Sequence, residues 1–341
     1  MTDRQPEPLV CSGNLESIPN LRRFSHQAMA AIFEVIIVHE DAHYAQQAAH
    51  AAFDELDRLE SELSRFIENS DICRINNLPA NQLLRLGLPA FECLQITNRI
   101  YDETNGAFDV TIGSLLACWR NKNGTPLTPS QDQLNLARKR TGMHLLKLDE
   151  AEHTVQLLAS PIQIDLGGIG KGYAIDKMAE LLREWGISTA LINGGHSSIL
   201  ALDAPSGTKG WPLILSNPAD RKQTLARLHF QHKSLSASGL KKGQHIIDPR
   251  TARPVKDKKA AWVSAPDAVT SDALSTAFMV MSPGEIKKFC SRHPDVLAML
   301  ILQDGDKEIK KDKLLLFGPW KKNELLISRL SQAVRDKFSG A

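Results

Sequence analysis

The run Asp165-Leu-Gly-Gly-Ile-Gly-Lys-Gly172 combines three things that bind phosphate. Gly167, Gly168, Gly170 and Gly172 let a backbone come close to a ligand. The helical pattern that follows offers free N–H groups and the positive end of a helix dipole. Lys171 adds a point charge. The spacing fits neither familiar phosphate loop. A P-loop needs glycine where Asp165 stands and a hydroxyl residue in place of Gly172, and the dinucleotide fingerprint fails because Tyr173 sits where its last glycine belongs. The same glycines also fit a tight strand-to-helix turn that serves packing alone.

Three further groups carry chemistry. In Ser271-Asp-Ala-Leu-Ser-Thr276, Asp272 and Thr276 are four apart and share a helix face. A carboxylate and a hydroxyl are hard oxygen ligands suited to Mg²⁺; Asp272 could equally complement the start of its helix, with Thr276 turned inward. In His245-Ile-Ile-Asp-Pro-Arg-Thr251, Pro249 fixes a turn and His245 is either a general base near neutrality or a structural strand residue. Asp109, after the glycine turn of Gly106-Ala-Phe-Asp109, either holds a ligand or caps the turn.

The elements that position these groups are legible from periodicity. Ala31–Val38 (AIFEVIIV) reads as a strand. Ala52, Leu56, Leu59, Leu63 and Phe66 predict one buried helix face, ending near Asn69-Ser70-Asp71. A helix from Ala90 to Glu103 ends at Gly106, which suits a C-cap. Pro161 to Leu166 alternates as a strand. Ile175, Met178, Ala179, Leu182 and Trp185 form a helix stripe closed by Gly186, and Thr189 to Ile192 is again a strand, so this region reads as a crossover unit. Strands fill Trp211 to Leu235, a helix runs from Ser271 to Met281, and strands recur at Leu297 to Leu302 and Leu314 to Phe317. Helices and strands mix without strict alternation, which predicts an α+β fold. Residues 1–21 read as a flexible arm, 22–335 as the folded domain and 336–341 as a tail. The Asn-, Gly-, Pro- and Thr-rich stretch Asn121 to Ser130 marks the seam between two lobes.

Composition narrows the function classes. Forty-one basic against thirty-nine acidic residues leave a net charge of +2, which gives no reason to expect nucleic acid as a partner. Cys11, Cys73, Cys93, Cys118 and Cys290 are scattered and odd in number, so they read as buried apolar thiols rather than as disulfides or a zinc site. No stretch approaches the length of a membrane span, and the N-terminus lacks the apolar core of a secretory signal. Taken as it stands, the sequence reads as cytoplasmic.

In this order, these segments resemble the ApbE family of flavin transferases, also called FAD:protein FMN transferases. The likeness covers residues 22–305. It runs through HQAMAAIFEVII at 26–37, Ser64-Arg-Phe66, Asn69-Ser-Asp71, Arg74-Ile-Asn76, Thr104-Asn-Gly-Ala-Phe-Asp109 with Leu115 and Trp119, DLGGIGKGYAID at 165–176, Ser238-Gly239, HIIDPRT at 245–251 and SDALST at 271–276. The combination is specific, though each piece alone is weak. The resemblance implies an ApbE-like mixed fold with two lobes around a cleft for FAD and Mg²⁺. It implies metal ligands at Asp272, Thr276 and the main-chain oxygen of Gly168, with Ser275 as a further oxygen. FAD contacts fall on Met29, Phe66, Ala107, Phe108, Asp109, Asp165, Lys171 and Ile247, and a candidate catalytic base on His245. The implied reaction cleaves FAD, releases AMP and joins FMN through a phosphoester to a Thr or Ser of a target flavoprotein. A pyrophosphatase that splits FAD into FMN and AMP, or a FAD-binding protein without chemistry, would use the same parts. Three features depart from the family pattern. Members are mostly exported or lipid-anchored; Ala252 stands where glycine usually follows HIIDPRT; and His196 and Ser197 replace an acidic or amide residue.

Overall fold

Ala31–Val38 is apolar on both faces because both faces of its sheet are covered. The computed structural model describes residues 10–121, 124–195, 197–218, 220, 223–240, 246–303, 314–321 and 325–327. Eight strands form one antiparallel sheet, and their order across it is their order along the chain: Leu21–Ala28, Ala31–Val38, Ala190–Gly194, Ser198–Ala201, Lys233–Gly239, Lys258–Ala265, Leu297–Leu302 and Leu314–Phe317. One face carries helices. There Val35, Ile37, Ile192, Ala261, Val263 and Leu300 meet Leu56 and Leu59 of the Ala42–Leu63 helix, Ile175 and Met178 of the Gly170–Glu184 helix, and Leu274 and Phe278 of the Ala268–Val280 helix within one core. The other face packs on a second sheet built from Val10–Ser12, Trp211–Ser216, Thr224–Phe230 and Leu325–Ile327, with Ile36, Leu191, Ala260 and Trp262 pointing that way. The alternation of Ala260, Ala261, Trp262 and Val263 between the two cores is the period-2 pattern of a strand buried on both sides. The mixed α+β architecture follows the sequence reading.

Several expectations need correction. The first long helix ends at Leu63 rather than near residue 69, and Phe66 is not on its buried face but 82% exposed. The break is stitched by Ser70, whose hydroxyl donates to the Ser64 carbonyl (2.6 Å) and accepts the N–H of Cys73 (2.9 Å), so that it caps a new helix, Asp71–Asn76. Pro161 to Leu166 is extended but joins no sheet. On one side it makes an isolated parallel bridge to Ile112, with the Asp165 N–H donating to the Val110 carbonyl (2.7 Å) and the Gly113 N–H to the Gln163 carbonyl (2.9 Å), and the Asn76 side chain accepts from the Ile164 N–H (2.6 Å) and donates to the Ile164 carbonyl (3.0 Å). No parallel crossover therefore forms here, and Ala190–Gly194 lies antiparallel to both neighbours. The last predicted helix begins one turn earlier, at Ala268, and is followed by Pro283–Arg292. That second helix announces itself by a capping box, Ser282 with Glu285. The Ala90–Glu103 expectation extends to Leu88–Glu103; both Asn105 (φ 51°) and Gly106 (φ 73°) are left-handed after it. Of the cysteines, Cys93 and Cys290 are buried, with burial pushing their thiols up to about 12, whereas Cys73 and Cys118 are half-exposed. Among the described residues no helix is long and apolar enough to cross a membrane.

Candidate functional site

The N-terminal ends of Gly170–Glu184 and Ala268–Val280 cap each other. Asp176, on the first helix, accepts the N–H groups of Ala268 and Val269, both at 2.8 Å. Asp272, on the second, accepts the N–H of Gly172 at 3.0 Å. Each carboxylate sits where a helix dipole favours negative charge. The first helix has no side-chain cap of its own, because Ile169 occupies the N-cap. Asp272 thus complements a helix start, but the neighbour's rather than its own. The two backbones come close enough that a Cβ on Gly172 would lie 2.3 Å from the Ala268 carbonyl oxygen.

This crossing brings together the glycine loop and the SDALST segment, some hundred residues apart. Asp272 is 4% exposed. Its second oxygen accepts from the Ser198 hydroxyl (3.1 Å), and Lys171 Nζ lies 3.6 Å from Oδ2. Thr276, one turn on, faces Gly168: a Cβ at Gly168 would stand 3.1 Å from Thr276 Oγ1 and 3.3 Å from the Phe108 ring. Glycine at 168 is therefore set by a close approach of loop, hydroxyl and aromatic ring. Ser275 is fully buried and turned to the sheet, hydrogen-bonded with Ser238 Oγ at 2.8 Å.

The helix lies on its strand through a ladder of hydroxyls. Ser234 donates to the Asp267 carbonyl (2.6 Å), Ser236 pairs with Ser271 (2.8 Å), and Ser238 pairs with Ser275 (2.8 Å). Two strand residues rise roughly 6.6–6.8 Å and four helix residues roughly 6.0 Å, so the steps match over this short length. Three rungs hold the helix on its strand, so the loss of one leaves its register to the other two.

On the loop side, Asp165 accepts from the Gly167 N–H (2.8 Å) and lies 3.3 Å from the Arg65 guanidinium. The same guanidinium covers one face of the exposed Phe66 ring, 4.6 Å from its centre. Met29 sits at the tip of the hairpin between Leu21–Ala28 and Ala31–Val38. With Ala28 paired to Ala31, Met29 (φ 50°) and Ala30 (φ 54°) form a two-residue turn that needs positive φ at both positions and has no glycine. Such strain in non-glycine residues costs on the order of 1 kcal/mol each and accumulates at functional positions.

The other expected contacts are buried. Ala107 and Phe108 belong to the main core, so Phe66 is the aromatic with a free face for a ring system. Ile247 packs with Leu115, Ala137 and Ala252 in a small separate cluster. Ala252, where the family pattern has glycine, has φ 58°, which explains the preference; Trp119 Nε1 donates to its carbonyl at 2.9 Å. His245 and His196 lie outside the described residues. Asp176, Ser198 and Arg65 went unrecognised as positioning groups in the sequence. Asp176 closes the DLGGIGKGYAID motif, but nothing in its spacing says which helix it caps.

Two of these carboxyls carry a pH signature. Burial pushes Asp109 from 3.8 up to about 6, against hydrogen bonds from Thr111 that pull it down. Burial pushes Asp176 up to about 7, against its two N–H bonds. A carboxyl whose pKa is higher folded than unfolded binds its proton more tightly in the native state. Its stabilising contribution is complete below about 3.9 and is lost as pH rises through the folded value. The unliganded protein is therefore expected to melt a few degrees lower at pH 8 than at pH 5. Asp109→Asn should flatten the part of that decline below pH 6. A melting temperature that rises from pH 5 to 8 would contradict the burial of both groups.

A profile of the ApbE family matches residues 29–301. The chain is 26% identical over 320 residues to the FAD:protein FMN transferase of Salmonella typhimurium, covering 89% of each chain. It is 28% identical over 246 residues to the protein of that name from Chlamydia muridarum, covering 68% of this chain and 74% of the other. Its fold superposes on the flavinyl transferase ApbE of Pseudomonas stutzeri in its apo form with a TM-score of 0.76 at 22% identity, covering 87% of this chain and 93% of that one. For the flavin transferase ApbE of Vibrio cholerae the TM-score is 0.75 at 20% identity, with 87% and 97% covered. The profile spans most of the sequence and includes the glycine loop and both crossing helices that meet at Asp272, and the chain belongs to the ApbE family.

Proposed function

We propose that this protein is a FAD:protein FMN transferase. It cleaves FAD between its phosphates in a Mg²⁺-dependent reaction, joins FMN through a phosphoester to a Thr or Ser of a target flavoprotein, and releases AMP. Family membership supports the reaction class. The observation that carries the site is the meeting of Lys171, Asp272, Gly168 and Thr276 where two helix N-termini cross.

The donor set suits Mg²⁺. Asp272, the Thr276 hydroxyl and the Gly168 carbonyl are hard oxygens, and the close cradle at Gly168 brings loop and hydroxyl together. Among the described residues no group of three or more His, Cys, Asp or Glu is placed to hold a metal ion, so substrate phosphates and water would complete the coordination, as is usual for Mg²⁺. The bound ion would supply neutralisation of charge on the pyrophosphate. Lys171 would leave Asp272 and hold a phosphate. Phe66, backed by Arg65, would stack on a ring of the ligand. The target hydroxyl gives its proton to a base, for which His245 is the candidate, and its oxygen bonds to the FMN phosphorus. The bond from that phosphorus to the bridging oxygen breaks, and AMP leaves with that oxygen. The acidic and cationic groups of the site serve a pyrophosphatase equally well, so the deciding experiment measures AMP release and the intact mass of a candidate flavin-carrier protein together. One AMP per flavinylated target is expected. FMN and AMP released at a rate indifferent to the target would establish the hydrolase, and no AMP a binding protein.

Lys171→Met separates phosphate binding from packing. Losing a charge-assisted hydrogen bond costs about 1.5–3 kcal/mol, or roughly ten- to a hundredfold in affinity. FAD affinity should fall by that factor while riboflavin, which has no phosphate, stays within about twofold. Equal losses for both ligands in a titration would make Lys171 a packing residue.

A further inference from the structure

We propose that Ser238 and Ser275 set the direction of the Thr276 hydroxyl, so that its lone pairs, and not its proton, face the site at Gly168. Three hydroxyls and one carbonyl form a chain. Ser275 Oγ lies 2.8 Å from the Asp272 carbonyl oxygen, Ser238 Oγ lies 2.8 Å from Ser275 Oγ, and Thr276 Oγ1 lies 3.3 Å from Ser238 Oγ.

The polarity of the chain follows from its end. A carbonyl oxygen can only accept, so Ser275 donates its one proton to Asp272. Ser275 must then accept from Ser238, which uses the single Ser238 proton. Ser238 can only accept from Thr276, so the Thr276 proton points at the sheet. Both Thr276 lone pairs are thereby turned from Ser238 toward the side where the Gly168 backbone approaches. A hydroxyl in that state is oriented to ligate a cation before the cation arrives. Outer partners of this kind typically change metal affinity or activity ten- to a hundredfold when removed. On this assignment Ser275 is a positioning residue behind Thr276 and not itself a metal ligand.

The inference rests on Thr276 being a ligand of Mg²⁺, and the ladder supplies its own control. Ser236 and Ser271 make the same kind of pair one turn away, at 2.8 Å, without touching Thr276. Ser271 also donates to the Ala268 carbonyl at 3.1 Å, so it keeps a partner when Ser236 is removed. The measurement is the melting temperature of the full chain with saturating FAD and no acceptor, as a function of Mg²⁺ concentration. Ser238→Ala and Ser275→Ala should raise the Mg²⁺ midpoint roughly tenfold. Ser238→Thr, which restores a hydroxyl, should return it to the wild-type value. Ser236→Ala should lower the melting temperature at every Mg²⁺ concentration and leave the midpoint in place. A wild-type midpoint in Ser238→Ala, or an equal shift in Ser236→Ala, overturns the directed chain while leaving Thr276 as a ligand. A wild type whose melting temperature ignores Mg²⁺ removes the ligand reading and the proposal with it.

Discussion

Asp272→Asn is expected to lower flavin transfer by about 10²–10³-fold at any Mg²⁺ concentration that saturates the wild type, the scale of losing one preorganised electrostatic partner of a transferring phosphoryl group. The substitution removes the only charged protein ligand proposed for the ion. It retains one carbonyl oxygen that can still accept from Gly172 or Ser198. Asp272→Ala is the poorer test. It strips a partner from the Gly172 N–H, the Ser198 hydroxyl and the Lys171 ammonium at once. Each polar group left unsatisfied in a buried place costs about 1–3 kcal/mol, so lost activity could merely report lost fold. Melting curves of Asp272→Asn should therefore be collected beside the transfer assay. Transfer at the wild-type rate and with wild-type Mg²⁺ dependence would remove Asp272 from the proposed metal site.

The contrast between what was legible and what was not follows the range of the interaction. Ala31–Val38, Leu297–Leu302 and Leu314–Phe317 read correctly because a strand covered on both sides is a short, mostly apolar run of strand length. The helix stripe from Ile175 to Leu182 read correctly because its period is local. Phe66 misled because it keeps the spacing of the helix before it, although the chain has turned at Ser64 and the ring is exposed. Pro161 to Leu166 misled because alternation reports two faces and not a strand partner, and here the partners are an isolated bridge to Ile112 and the Asn76 side chain rather than a strand of the sheet. The candidate site was half visible. Asp272, Thr276, Lys171 and the glycines stand in local motifs, but the reciprocal caps from Asp176 and Asp272 and the serine ladder are pairings between distant segments. Single-chain spacing does not record them. Even the role of Gly172 was open in the sequence, since a glycine that admits phosphate and one that admits a helix look alike.

Gly172→Ala tests which of these roles holds, and its sign is informative. On a helix with free space around it, alanine in place of glycine stabilises by about 1 kcal/mol. At Gly172 the new Cβ would stand 2.3 Å from the Ala268 carbonyl oxygen and 2.8 Å from Asp272 Cβ. Both belong to the partner helix, and the carbonyl is backbone, so no side-chain rotation relieves the contact. Forcing extra volume into such a place costs about 1–3 kcal/mol, occasionally more, which overrides the propensity gain. The strain is relieved only by separating the two helix N-termini, which lengthens the Asp272–Gly172 bond and shifts Lys171 relative to Asp272. Gly172→Ala is thus expected to lower the melting temperature by several degrees and flavin transfer by an order of magnitude or more. Gly170→Ala is the matched control: it lies two residues earlier on the same helix, and its new Cβ would meet only Leu166 Cβ at 3.8 Å, an ordinary contact. It should be neutral or slightly stabilising. If both alanines stabilise alike, the helices do not meet at Gly172 as described, and its glycine answers to a ligand instead. If Gly172→Ala alone destabilises, the close crossing that brings Asp272 to the glycine loop is what the glycine provides.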